Sequence, residues 1–289
     1  MDYYLHGHGQ AVSQAHAGRN VVNSAAHLEP YLRPGLRVLD AGSAGGALTK
    51  DLARRVAPGQ VTGIDLSAEA IQAAQDDPSR PTNLRYQVAD IYDLPFAAGS
   101  FDLVHIHQVL HHLTDPVAAL RQAARVVAPG GLISLREGDF GAAFWYPASR
   151  AWETWRDTLL TVAAAGQTDL CGGRRLLSWL NLAGLAGSAG PARTAGSAGS
   201  ASSGGPGVSG QTEPIISGSL WTYPGLEPVS QIAASWAERL VDERFMERAE
   251  EVGVAQPALL RATAQGLIEW SRLPGATFVM PHLEAIVQC

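Results

Sequence analysis

From Arg37 to Glu137 the chain repeats one pattern: a short aliphatic or β-branched run, a turn carrying Gly or Asp, then a stretch with helical spacing. This alternation is what βα units laid side by side in a parallel sheet require. The strand-like runs are Arg37–Ala41, Val61–Asp65, Leu84–Ala89, Phe101–His107 and Leu132–Glu137. Helices are expected over Gly46–Val56, Ala68–Gln75 and Pro116–Val127, and the turn Ala128-Pro129-Gly130-Gly131 must stop the last of them. The fold class that follows is α/β: a Rossmann-like, mostly parallel, doubly wound sheet with an N-terminal helical lid and a small helical cap.

The rest of the chain is read around that core, 36–139. Residues 1–35 hold one or two helices over Ala11–Leu32, ending at Arg33-Pro34-Gly35, that suit a lid. Residues 140–186 are rich in aromatics, with Phe144, Trp145, Tyr146, Trp152, Trp155 and Trp179, and suit either the wall of an apolar pocket or a helix docking its rings into the core. Residues 187–210 are dominated by Gly, Ser and Ala and are expected to form a mobile surface loop. Within 211–289, strands are expected at Ile215–Tyr223 and Ala276–Val287, with helices Pro228–Glu251 and Pro257–Ser271 between them as a cap.

Composition narrows the function. A net charge of −6 and 46% hydrophobic residues fit a globular chain and speak against nucleic acid as a partner, because such binders cluster basic residues on one face. Cys171 and Cys289 are the only cysteines and lack metal-ligand spacing, so neither a disulfide framework nor a thiolate metal site is expected. With no signal-like N-terminus and no long apolar run, the expectation is a cytoplasmic protein without membrane contact.

The chemistry concentrates at the carboxyl ends of the first three strands. Val38-Leu39-Asp40-Ala41-Gly42-Ser43-Ala44-Gly45-Gly46 is a strand ending in an acid, followed by a glycine-rich turn that opens a helix. Small residues there allow close backbone approach by a ligand, and the helix start offers free N–H groups. Asp65 ends the second strand, where a carboxylate can accept both hydroxyls of a ribose. Asp90 and Ile91 follow the third, where an acid and a backbone N–H can read the amino edge of adenine while Leu66 and Ile91 cover its faces. The ordered set of three acids points to a nucleoside.

Taken together, VLDAGSAGG, VTGIDLS, ADIYDLPFAAGSFDLVHIHQVLHHLTDP and ARVVAPGGLI resemble the class I S-adenosylmethionine-dependent methyltransferases, in particular those similar to quinone-biosynthesis C-methyltransferases and specialised-metabolite enzymes. The resemblance covers about residues 1–137. It implies S-adenosylmethionine as cofactor, with Asp40, Gly42, Ser43 and Gly46 around the methionine moiety and Asp65 and Leu66 at the ribose and adenine. Asp90 and Ile91 take the adenine edge, His107 and Gln108 the sulfonium region, and Tyr4, in Tyr4-Leu5-His6-Gly7-His8, folds over the donor. The chain departs from the family pattern at Ala44, which stands where a glycine is usual. A left-handed backbone there strains alanine by about 1–2 kcal/mol, unless Gly45 absorbs the turn.

Methyl transfer from a sulfonium is an in-line displacement, so positioning supplies much of the rate and a base helps only weak nucleophiles. His107, His111 and Glu137 are the candidate catalytic groups, with His105 on the face of His107, His112 beside His111, and Asp139 beside Glu137. The expected acceptor is a small, largely apolar or aromatic metabolite bounded by Trp145 and Tyr146, with Trp221 and Tyr223 as further wall candidates. Arg174 and Arg175 are candidates to pair a carboxylate. No metal is expected, and a homodimer is compatible with the reading. The competing classes are an NAD(P)-dependent oxidoreductase, which Asp65 would also suit, and a non-catalytic adenosyl-ligand-binding protein.

Overall fold

The computed structural model describes residues 18–186, 193–194 and 213–289. Its centre is β1 (Val38–Ala41), buried along its whole length as a strand covered on both faces must be. β2 (Val61–Asp65) and β3 (Leu84–Val88) lie parallel on one side of it, and β4 (Phe101–His107) and β5 (Val127–Gly138) lie parallel on the other. A short β6 (Phe144–Tyr146) and the two-residue β7 (Arg193–Thr194) follow, then the long β8 (Ile215–Pro224) and β9 (Thr277–Gln288). β9 inserts antiparallel between β5 and β8, giving the order β3-β2-β1-β4-β5-β9-β8-β7 with β6 paired to β9. Apart from β7, the loop expected over 187–210 lies outside the described residues.

Local sequence explains the first helices. α1 (Val21–Ser24) is a single turn capped by Asn20, and a 3-10 turn over Ala26–Tyr31 contains Pro30. The described part of the expected lid is thus shorter and less regular than a continuous helix, because Pro30 removes a backbone donor. α2 (Ala47–Val56) buries Leu48, Leu52, Ala53 and Val56 on one face, and α3 (Ala68–Asp76) is capped by Ser67, whose hydroxyl accepts from Ala70 N. α4 (Pro116–Val126) starts with Pro116 in its first turn and Asp115 accepting from Ala118 N at 2.9 Å.

The second half differs from expectation in two places. The stretch read as one helix over Pro228–Glu251 is two, α7 (Leu226–Leu240) and α8 (Glu243–Glu251), because the Asp242 carboxylate caps a fresh start by accepting from Arg244 N and Phe245 N. With α9 (Pro257–Trp270), three helices therefore separate β8 from β9. The aromatic segment forms α5 (Arg150–Ala165) and α6 (Gly172–Ala183), and it splits. Trp152 and Trp155 pack edge to face with rings 5.0 Å apart, in a core shared with Trp236, Trp270 and Phe278. Trp179 joins the sheet core instead. Trp152 and Trp155 thus hold the cap together and Trp179 the sheet, so these three are not free to wall a pocket, while Phe144 and Tyr146 stay exposed.

Candidate functional site

Asp40, Asp65 and Asp90 lie at or just beyond the ends of three adjacent parallel strands, with Asp40 level with Gly63 and Asp65 level with Val88. The turn after β1 is shaped by positive φ angles at Gly42 and Gly46. A Cβ on Gly42 would stand 2.2 Å from Val109 Cγ2, and one on Gly46 would stand 2.0 Å from the Tyr86 hydroxyl, so both positions demand glycine. Gly45, in contrast, faces open space. The left-handed residue between them is Ala44, at φ 45°, so Gly45 does not relieve the turn. Ala44 N donates to Asp65 Oδ2 at 2.9 Å, which ties the strained residue to the second strand.

The Asp65 carboxylate also accepts from Ser67 N at 2.9 Å, leaving lone pairs on both oxygens for ligand hydroxyls. Asp40 is only 2% exposed and accepts from Thr49 Oγ1 at 2.6 Å. Burial pushes its carboxyl up to about 6, against the Thr49 hydrogen bond and with help from the Asp65 charge. Ser43 is buried in the turn and its N–H donates to Ile64 O at 2.8 Å. Asp90 is exposed and its Oδ1 accepts from Tyr92 N at 2.9 Å. Leu66 is 57% exposed and Ile91 half-buried, so both aliphatic side chains border open space at this edge. Tyr4 lies outside the described residues.

Next to this edge a polar row crosses the sheet. The registers set His107, Arg136, Glu284 and Ser217 opposite one another on β4, β5, β9 and β8. Arg136 Nη1 donates to His107 Nε2 at 3.1 Å, its Nε to Glu284 Oε1 at 3.2 Å, and its Nη2 to Ser219 Oγ at 3.1 Å. Ser219 and Ser217 donate to the two Glu284 oxygens at 2.5 and 2.8 Å. Burial lowers the Arg136 guanidinium to about 10, opposed by Glu284, so it stays charged at neutral pH. Burial tends to raise the Glu284 carboxyl, but hydrogen bonds from Ser219 and Ser217 and the nearby His27 and Arg136 outweigh it and hold it low.

One row further on, His282 faces Gly138 and Ser219; one row back, His105 faces Ser134. Trp221 closes the row, with the Arg136 guanidinium 4.6 Å and the Arg19 guanidinium 5.3 Å from its ring centre. Residues 19–27 lie across the row. Arg19 Nη2 donates to Gln108 Oε1 at 2.7 Å, Asn23 O accepts from Trp221 Nε1 at 2.6 Å, and His27 Nε2 meets Ser134 Oγ at 2.9 Å.

The other sequence candidates are placed as follows. Glu137 points to the opposite face of β5 from Arg136, fully buried, accepting from Val109 N at 3.0 Å, Leu110 N at 2.8 Å and His111 Nδ1. Arg174 is forked onto Asp139 at 2.6 and 2.7 Å, and Arg175 Nε donates to Asp169 Oδ2 at 2.8 Å, so those guanidiniums already hold carboxylates. Trp145 stacks on Trp152 with centres 6.0 Å apart, and Tyr146 is 69% exposed at the cap. Among the described residues no group of three or more His, Cys, Asp or Glu is arranged for a metal ion, and no helix is long and apolar enough to cross a membrane.

Sequence reasoning missed Arg19, His27, Arg136, Ser217, Ser219, His282 and Glu284. The available signal was a charged residue on the inward register of an apolar strand: Arg136 within Ile133–Leu135–Glu137, and His282 and Glu284 alternating with Leu283 and Ala285.

A strand order running 3-2-1-4-5 with an antiparallel strand beyond it, and acids gathered at the strand ends, define a Rossmann-like nucleoside-binding domain. Residues 39–135 match the methyltransferase domain family. An uncharacterized methyltransferase of Schizosaccharomyces pombe is 31% identical over 61% of this chain and 66% of its own length. The ubiquinone biosynthesis O-methyltransferase of Xanthomonas axonopodis pv. citri is 40% identical over 38% of this chain and 45% of its own. The chain thus spans less than two thirds of the length of these curated relatives. In fold, it is similar to a putative methyltransferase from Bacillus halodurans (TM-score 0.54, 14% identity, covering 91% of this chain and 97% of that one). It is likewise similar to the YcgJ protein from Bacillus subtilis (TM-score 0.53, 15% identity, 91% and 96%).

Proposed function

We propose that the chain is an S-adenosylmethionine-dependent methyltransferase acting on a small organic acceptor. The observation that carries the reading is the continuity of two surfaces: the acid-lined ends of β1, β2 and β3 adjoin the polar row that begins at His107. The open space at Gly45 and the spare lone pairs of Asp65 fit a nucleoside and its amino-acid tail. In this reading Asp65 holds the ribose, Asp90 and the Ile91 N–H the adenine edge, Leu66 and Ile91 its faces, and Asp40, Gly42, Ser43 and Gly46 surround the methionine end. S-adenosylmethionine, when bound, supplies an electrophilic methyl group on a sulfonium.

His107 and Gln108, at the junction, face the transfer, and residues 19–27 shield it from water. His111 and Glu137 act at one remove. Glu137 caps the 3-10 turn over Leu110–His112 and so fixes where His107 and Gln108 stand. Arg174 braces Asp139, and the acceptor wall shifts from Trp145 and Tyr146 to Trp221 and its neighbours. S-adenosylhomocysteine at a hundredfold excess over Kd is expected to stabilise the protein by about 2.7 kcal/mol, visible as a raised Tm. Asp65→Ala removes that rise. A rise with NADH and none with S-adenosylhomocysteine sinks the reading in favour of an oxidoreductase.

A further inference from the structure

The hydrogen-bond partners on the polar row fix the protonation of its imidazoles. A guanidinium only donates, so His107 Nε2, which meets Arg136 Nη1, must carry the lone pair, and the ring proton sits on Nδ1. No described residue accepts from that Nδ1–H. A backbone carbonyl only accepts, so His282 carries its proton on Nδ1, which donates to Met280 O at 3.0 Å. Its Nε2 lone pair accepts from Gln108 Nε2 at 2.8 Å, an orientation that Arg19 enforces by donating to Gln108 Oε1. Gln108 holds this bridge from a left-handed backbone, φ 54°. Burial, aided by Arg19 and Arg136, drives both rings well below the usual histidine range.

The lone pairs of both rings are therefore occupied by donors, and what His107 offers the acceptor side is an N–H beside the Arg136 guanidinium and the Trp221 ring. Among the described residues, the charged groups facing this spot are Arg136, Arg19 and Glu284. Glu284 is matched by Arg136 and by two serine hydroxyls, while Glu137 lies on the opposite face.

We propose that the acceptor is a carboxylate, seated on the His107 Nδ1–H and the Arg136 side of the row and methylated without a protein base. The inference rests on the methyltransferase reading above and names the substrate class for that same site. One carboxylate oxygen donates its electron pair to form the new bond to the methyl carbon. The carbon–sulfur bond breaks with its pair going to sulfur, which leaves a neutral thioether. The product is a methyl ester, and no proton moves. An already ionised oxygen needs no base, which agrees with imidazoles whose lone pairs are committed elsewhere.

Calorimetric titration of the S-adenosylhomocysteine-loaded protein with benzoate and with its neutral analogue benzamide tests this. Benzoate is expected to bind at least about tenfold more tightly, the difference a charge-assisted hydrogen bond makes. His107→Phe, which deletes the donor, and Arg136→Lys, which keeps a counter-ion for Glu284 but loses the fork, are each expected to abolish that preference, and in Arg136→Lys the Tm rise with S-adenosylhomocysteine persists. Benzoate binding no tighter than benzamide, absence of binding by either, or a preference that survives both substitutions overturns the proposal. Loss of the S-adenosylhomocysteine response in the unaltered protein overturns the methyltransferase reading instead.

Discussion

Arg136→Met is expected to destabilise the protein by about 3–5 kcal/mol, because it leaves Glu284 as an uncompensated charge inside the sheet. Both side chains are buried, and the pair is held at 3.2 Å between β5 and β9. Three of the guanidinium's contacts disappear at once, to His107, Glu284 and Ser219. The double substitution Arg136→Met/Glu284→Leu recovers most of the loss, since two apolar side chains of similar bulk carry no desolvation penalty. The urea midpoints of the single and double variants give the coupling between the two positions directly. A single substitution costing under about 1 kcal/mol would mean that the pair is solvated and behaves as a surface ion pair. On the present reading the row is kept for its chemistry, and stability alone would be served as well by apolar residues.

Asp40→Asn is expected to act in the opposite direction on stability while damaging binding. Burial holds the Asp40 carboxyl at about 6 in the folded chain, above its unfolded value of about 3.9. The folded state therefore binds the proton more tightly than the unfolded one. That contribution is fully present below about pH 4 and is lost as pH rises through 6. At about pH 7.5 the ionised acid costs on the order of 3 kcal/mol, which an uncharged asparagine, still able to accept from Thr49, does not incur. The substitution should thus raise Tm at about pH 7.5 and leave it unchanged near pH 4, and S-adenosylhomocysteine should bind at least about tenfold more weakly. Equal gains at both pH values would show that the titration of Asp40 is not the cause. A buried acid kept at such an expense is what a ligand-facing carboxylate at a strand end looks like.

The parallel half of the fold was legible because its determinants are local. The strands from Val38 to His107 are short runs bounded by turn residues, and helix starts carry their own caps, such as Ser67 or Asp115. The glycines at 42 and 46 announce their turn by composition, although only coordinates show that Ala44 bears the strain beside them. The cap was less legible. Density of tryptophan cannot distinguish a pocket wall from a core, and Trp152 and Trp155 went to the core once Trp236 and Trp270 arrived from residues far along the chain. The polar row was the hardest feature. His107 and Arg136 meet through the pairing of β4 with β5, and Glu284 and Ser217 join them only through the insertion of β9 between β5 and β8, which no local pattern encodes. For the same reason Glu137 read as a candidate base, when its alternation with Arg136 sends it to the other face to cap the turn before α4.

A crystal structure with S-adenosylhomocysteine bound is the most direct measurement. The ribose hydroxyls should lie within hydrogen-bonding distance of Asp65, the adenine between Leu66 and Ile91, and the sulfur should be turned toward His107 and the row beyond it. A nucleoside bound away from the ends of β1, β2 and β3, or a sulfur facing away from His107, would contradict both the site and the direction of transfer.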